Sequence, residues 1–256
     1  MNWKHFLFLA IIACWIGCGD DPINTPYPDL TREYFPLKVG SSITYQVDSI
    51  VFDDAPGGNK LDTTRFLLKE EIAAKEIAEN GDSVFIIHRF KRADENQSWV
   101  LADVWTANLN GTEALRTEEN LKFRKLSFPL RYGKRWKSTA YINPETQILV
   151  GTEYVKKAFE EWEAEVLSFD KSGIVGNFTF GDSTVMTLDQ TNMDDGTMKR
   201  YVHETYVRNI GLVARIDSIL DSRCIDLGYF EPCLGKPWIE QADKGYILSQ
   251  VMIAYQ

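Results

Sequence analysis

The chain has 256 residues and a formal charge of −9, from 28 basic and 37 acidic side chains, and 44% of it is hydrophobic with 12% aromatic. Such an acidic body lacks the basic face that nucleic-acid binding requires and has no general attraction for anionic lipid. Its apolar content suffices for a packed core, which excludes a disordered chain.

Met1 to His5 is a short polar start carrying Lys4, and Phe6 to Gly17 is then apolar without a break. Twelve helical residues rise about 18 Å, too little for a hydrocarbon core of roughly 30 Å. The run therefore reads as a secretory signal rather than a spanning helix. It ends at Ile16-Gly17-Cys18, after which the chain turns polar at Gly19-Asp20-Asp21. Ile16, Gly17 and Cys18 resemble the bacterial lipobox, with Trp15 departing from the usual leucine; a cut before Cys14 would leave a much shorter apolar core. The resemblance implies alkylation of the Cys18 thiol by diacylglycerol, cleavage before it and acylation of the new amine. Residues 1–17 are then a lipoprotein signal peptide, and Cys18 carries the palmitate-type chains that hold the protein to the membrane. Each buried methylene adds about 0.8 kcal/mol, so two or three chains make release negligible.

Removal of residues 1–17 takes one lysine and no acid, so the charge becomes 27 − 37 = −10. It also takes Cys14, and with Cys18 lipidated the remaining thiols are Cys224 and Cys233. In an exported protein two such cysteines pair, and closing the loop between them contributes roughly 2.7 kcal/mol. Residues 18–33 hold Pro22, Pro26 and Pro28 among polar and acidic side chains and read as a tether, reaching on the order of 40 Å when extended.

Residues 34–256 are expected to form a single β-rich domain. Phe35-Pro36-Leu37-Lys38-Val39-Gly40 recurs as Phe128-Pro129-Leu130-Arg131-Tyr132-Gly133, each copy leading into an alternating segment. This leaves open a duplication with pseudo-repeat halves starting near 34 and 127, or simply a recurring turn into a strand. Lys69 to Glu79 is rich in Ala, Glu and Lys and suits a helix, yet strand-like neighbours make a hairpin through Asn80-Gly81 an equal alternative. Strand patterns follow at Ser83 to Phe90, Trp99 to Trp105, Ile148 to Val155, Trp162 to Phe169, Thr184 to Leu188, Lys199 to Val207, Gly211 to Ile219 and Tyr246 to Tyr255. Asp195-Gly196 is a further hairpin signal. Short strands with Gly, Asn and Asp turns and no βαβ rhythm predict antiparallel sheets forming a sandwich or partly open barrel, with at most one or two short helices.

The segments YFPLKVGSSITYQVDSI (34–50), EENLKFRKLSFPLRYGKRW (118–136) and YVRNIGLVARIDS (206–218) resemble uncharacterised envelope lipoproteins common in Bacteroidota. They cover about one fifth of the chain, and the family brings no established activity. The resemblance implies a location at the outer membrane, facing the periplasm or the surface. Asp20-Asp21 is similar to the acidic tag that routes such lipoproteins outward, and triplets such as Asp62-Thr63-Thr64 and Asp217-Ser218-Ile219 resemble their O-glycosylation acceptors.

No catalytic constellation, metal set or cofactor motif stands out. His203-Glu204 begins like a zinc-protease helix, but Val207 stands where the second histidine belongs. His88 closes an apolar strand and reads as a packing residue. Asn192 to Gly196 lacks the alternating acids of a calcium loop. Glu160, Glu161, Glu163 and Glu165 offer paired carboxylates for glycoside chemistry, though alternation puts the last three on one solvated strand face. Trp99, Trp105, Trp136, Trp162 and Trp238 suit either a core or a sugar- or lipid-binding groove. The sequence thus predicts a membrane-anchored, non-catalytic binding or assembly module with an envelope protein, glycan or lipid as partner. The alternatives are an envelope hydrolase using clustered carboxylates and a lipid-handling half-barrel.

Overall fold

The computed structural model describes residues 31–53, 60–79, 81–191, 196–228 and 231–256. The signal segment, Cys18 and the tether up to residue 30 lie outside the described residues, as do Asn80 and Asn192 to Asp195 of two expected turns.

The first half contributes β1 (Ser42–Asp53), β2 (Lys60–Ile77), β3 (Ser83–Arg92), β4 (Val100–Asn110), β5 (Glu113–Glu118) and β6 (Leu121–Ser127). After the short β7 (Arg135–Trp136) comes a hairpin of β8 (Ile148–Val150) and β9 (Glu153–Val155). Long strands follow: β10 (Trp162–Val175), β11 (Phe178–Thr191), β12 (Met198–Val207) and β13 (Gly211–Ser222). Two single-turn helices, α1 (Arg223–Leu227) and α2 (Trp238–Gln241), lead into β14 (Ala242–Tyr255).

Twelve strands make one antiparallel sheet in the order β6-β5-β4-β3-β2-β1-β14-β13-β12-β11-β10-β7, and β8-β9 stands apart. The order is a meander in which β1 pairs with β14 and the outermost strands are β6 and β7. Those two approach each other: the Arg124 N–H donates to the Ser138 carbonyl at 2.8 Å, and the Trp136 indole N–H donates to the Arg124 carbonyl at 3.0 Å. The sheet therefore curls into a nearly closed barrel with its seam between β6 and β7. Turn chemistry supports the curl. Glu119 and Asn120 both adopt positive φ between β5 and β6, as a two-residue hairpin of matching twist demands. Gly245 in β14 is required by close approach, because a Cβ there would sit 1.9 Å from the Ile219 carbonyl oxygen of β13.

Lys69 to Ile77 is strand, not helix, and extends β2. Alternation explains the outcome: Leu68, Glu70 and Ile72 share one face, and β2 is hydrogen-bonded on both sides, to β1 and β3. Ladder bonds and burial outweigh the few tenths of a kcal/mol per residue by which Ala, Glu and Lys favour helix.

One end of the barrel is plugged. A single 3-10 turn, Arg32–Tyr34, sends Tyr34 and Phe35 into a core with Leu126, Phe128, Leu130, Trp136, Val166 and Tyr206. Both aromatic starts of the repeated Phe-Pro-Leu segment, Phe35 and Phe128, thus end in the same cluster, and each copy opens a run of six sheet strands. The Thr31 hydroxyl accepts from the Leu130 N–H at 2.8 Å. The Tyr34 hydroxyl donates to Asp170, and the Arg208 guanidinium lies over the Tyr34 ring at 4.9 Å while pairing with Asp170 and Glu33. The opposite end is covered by the segment between β7 and β10, which packs Ile142, Val150, Val155 and Phe159 against Trp162, Val202 and Ile219.

Candidate functional site

Between plug and cover the barrel holds a half-open cavity of about 700 Å³. Its lining is two-sided, because the inward positions of successive strands change character along the barrel axis. Near the cover Ile219, Tyr246 and Val51 lie opposite one another on neighbouring strands, Trp162 packs against Ile219, and Phe123 and Phe159 extend that mostly apolar wall. One step deeper, Ala164, Asp189, Val202, Asp217 and Leu248 lie opposite one another on neighbouring strands. Deeper again come Thr187, Glu204, Arg215 and Gln250. The wall is apolar and the floor is charged.

The floor is a continuous ion network. Glu118 of β5 meets Arg215 of β13 at 3.0 Å, and Lys125 of β6 meets Glu204 of β12 at 2.5 Å. These strands are not sheet neighbours, so both pairs cross the lumen. Arg215 also holds Asp217 at 2.7 Å, Arg116 bridges Glu70 at 2.6 Å and Glu118 at 3.4 Å, and Arg89 reaches Glu70 at 3.0 Å. The Tyr206 hydroxyl donates to Glu204 at 2.6 Å and the Tyr246 hydroxyl to Asp217 at 3.1 Å. Trp105 forms one side of the floor, with Arg89 stacked 3.5 Å from its ring centre and Arg116 at 4.7 Å. Each such contact is worth on the order of 1 kcal/mol.

Burial would raise every carboxyl here, so the neighbours decide which ones stay ionised. Burial opposes the Glu118 charge, but Lys125, Arg215 and Arg116 together hold its carboxyl well below the usual range. Glu204 is lowered against burial by Lys125 and Arg215, and Glu70 by Arg116 and Arg89. Asp217 is different: burial raises it despite Arg215 and the Tyr246 hydroxyl. Asp189 departs furthest. Burial pushes its carboxyl up to about 7, against Ser138 and Lys125 and reinforced by Glu204 and Asp217. Its Oδ1 is buried without a hydrogen-bond partner, as is Asp217 Oδ1.

The cover is latched. The Thr152 N–H and hydroxyl donate to Asp53 at 2.9 and 2.7 Å, tying the β8-β9 turn to the end of β1. Gly151 makes the latch possible: its φ is +62°, and a Cβ there would lie 2.3 Å from Asp53 Oδ2.

No protein-family model matches the chain, and no curated relative does. Among solved structures, it resembles a candidate exported protein with YmcC-like fold from Bacteroides fragilis at 13% identity and TM-score 0.38, covering 87% of this chain and 98% of that one. A candidate lipoprotein from Parabacteroides distasonis is similar at 12% identity and TM-score 0.37, with the same coverage, 87% and 98%.

The residues singled out in the sequence fall in several places. Cys18 lies outside the described residues. Cys224 and Cys233 are joined by a disulfide, both buried, with Cα atoms 6.3 Å apart, and neither lines the cavity. Glu163 and Glu165 are on the outer face of β10, where both pair with Arg135 at 3.5 and 2.7 Å. His203 faces away from the lumen, opposite Leu188 and Ile216. Trp105 and Trp162 line the cavity, Trp136 is in the basal core, Trp99 lies beneath Lys69 and Arg92 outside, and Trp238 opens α2. Among the described residues no group of three or more His, Cys, Asp or Glu is placed to hold a metal ion.

The floor residues themselves were not picked out from the sequence. A signal existed in the alternation: Arg116 and Glu118 on β5, and Arg215 and Asp217 on β13, are two apart, and the latter pair sits between inward Val213 and Ile219. Charged residues in the inward phase of a strand belong to a lumen, not to solvent.

Proposed function

We propose that the protein is a lipid-anchored envelope protein that holds an amphiphilic small molecule in its barrel, without catalysing its conversion. The observation that carries this reading is the cavity of about 700 Å³ with an apolar wall and a charged floor. This is the size and lining of sites that take small molecules, where apolar surface supplies affinity and a few polar groups set orientation. The chain enters the barrel at the plugged end, through Tyr34 and Phe35. Intact-mass native mass spectrometry of the lipoprotein purified from membranes tests the reading: a stoichiometric small-molecule adduct is expected, and it should vanish when Leu248→Trp fills the cavity. A protein free of adducts that also fails to take up any added amphiphile would refute it. Labelling with a fatty-acid analogue tests the anchor separately, with Cys18→Ser expected to abolish incorporation.

A hydrolase is the second reading, and one observation favours it: a cavity carboxyl near 7, at Asp189, has the property of an acid–base catalyst. Turnover of an ester or glycoside by the purified protein, lost in Asp189→Asn, would support that reading over simple binding.

A further inference from the structure

Resting on the amphiphile reading, we infer that the floor of the cavity is a receptor for a cationic head, a primary ammonium placed between Asp189 and Asp217. Charge and geometry lead there together. Five acidic and four basic side chains line the cavity, so its lining carries one carboxylate more than it has cations. Lys125 and Arg215 are each shared by more than one carboxylate: Lys125 by Glu118 and Glu204, and Arg215 by Glu118, Glu204 and Asp217. Of the other two lining cations, Arg89 is held by Glu70 and Asp103, and Arg124 by Glu113. No protein cation is left for Asp189, which has no ion-pair partner among the described residues.

The placement of the carboxylates suits such a head. Asp189 on β11 and Asp217 on β13 both lie opposite Val202 of the intervening β12, on the lumen side. They flank one apolar residue at one level of the barrel, and each has a buried Oδ1 with no hydrogen-bond partner. The Ser138 hydroxyl stands beside Asp189 as a neutral donor and brings it no charge. Two carboxylate oxygens without donors match two of the three N–H bonds of an ammonium, and above them the wall of Val51, Ile219 and Phe159 takes a hydrocarbon body. An anionic head would face two carboxylates and find Lys125 and Arg215 already committed. A hydroxyl head would satisfy one acceptor and leave the extra charge unmatched. The raised titration of Asp189 fits the same account: without a cation this carboxyl holds a proton more readily, and a bound ammonium returns it to the ionised state.

The experiment is competition at pH 8 between dodecylamine, dodecanol and dodecanoate in equal amounts on the detergent-solubilised mature protein, read by native mass spectrometry. The expected result is a dodecylamine adduct at least tenfold more abundant than either competitor. Asp189→Asn should bring dodecylamine and dodecanol to near-equal occupancy. Equal occupancy by all three in the unaltered protein, or preference for the carboxylate, overturns the head-group assignment and leaves the amphiphile reading standing. Absence of every adduct overturns both. The selectivity of the unaltered protein decides the matter even where a variant folds poorly.

Discussion

Replacing Asp189 by asparagine should stabilise the protein at pH 8 and do much less at pH 4.5. The folded carboxyl titrates at about 7, against an ordinary aspartate value of 3.8. The folded state therefore binds more protons than the unfolded state between these values, and stability falls as pH rises through that window. The gap corresponds to about 4 kcal/mol once the pH is above both values, with roughly 1 kcal/mol of it present at pH 4.5. Asparagine keeps the shape and removes the charge, so it escapes the penalty at either pH, apart from a constant cost of its own amide hydrogen bonding. The other buried carboxyls titrate in both proteins and largely cancel in the difference. Urea unfolding followed by tryptophan fluorescence at the two pH values is the assay, and the quantity of interest is how much larger the gain is at pH 8. An excess of about 3 kcal/mol is expected. Equal effects at both pH values, or a variant less stable at pH 8 than at pH 4.5 relative to the unaltered protein, would refute the reasoning.

Three other perturbations probe the rest of the architecture. Lys125→Met strands Glu204 and weakens the support of Glu118, so a loss of about 3–5 kcal/mol in urea unfolding is expected, with Lys125→Met/Glu204→Gln recovering part of it; additive losses would show that the two charges do not act as a pair. Cys224→Ser/Cys233→Ser opens a short loop of sequence separation 9, and its midpoint should fall by the equivalent of about 2.7 kcal/mol, with no change in the unaltered protein unless a reductant is added. Asp53→Ala releases the Thr152 latch, and dissociation of a bound amphiphile, followed by the fluorescence of Trp105 and Trp162, should accelerate several-fold with little change in overall stability; an unchanged rate would mean that ligand leaves by another route.

The antiparallel sheet was legible in the sequence because its determinants are local, whereas the choice between a sandwich and a partly open barrel rests on the distant pairing of β1 with β14. The Gly, Asn and Asp turns, the period-two alternation of β12 and β13 and the missing βαβ rhythm all act within a hairpin. Lys69 to Glu79 resisted assignment because its propensity and its setting disagree, and only the ladders to β1 and β3 resolve the conflict. The cavity floor was harder for a different reason. Glu118 and Arg215 are 97 residues apart, and Lys125 and Glu204 are 79 apart, so nothing in either neighbourhood announces its partner. An isolated strand glutamate reads as solvated, and only barrel closure turns it inward. The carboxylates that did look clustered, Glu163 and Glu165, drew attention by adjacency, yet they face outward to Arg135.

The position of the seam has its own consequence for how the chain can be cut and joined. Ser42 and Gln256 exchange two backbone hydrogen bonds at 2.9 Å, so the beginning of β1 and the end of β14 are already neighbours. The sheet has its weakest lateral bonding in the middle of the sequence, between β6 and β7. A circular permutant that joined these ends through a short linker and began within residues 128–134 would keep every strand pairing of the sheet. Synthesis in the natural order has the opposite property: β1 must wait for β14, made after most of the chain, before its second edge is covered. The unpermuted protein thus carries its longest-range pairing in the middle of the sheet, and moving the break to the seam would exchange that pairing for a local one.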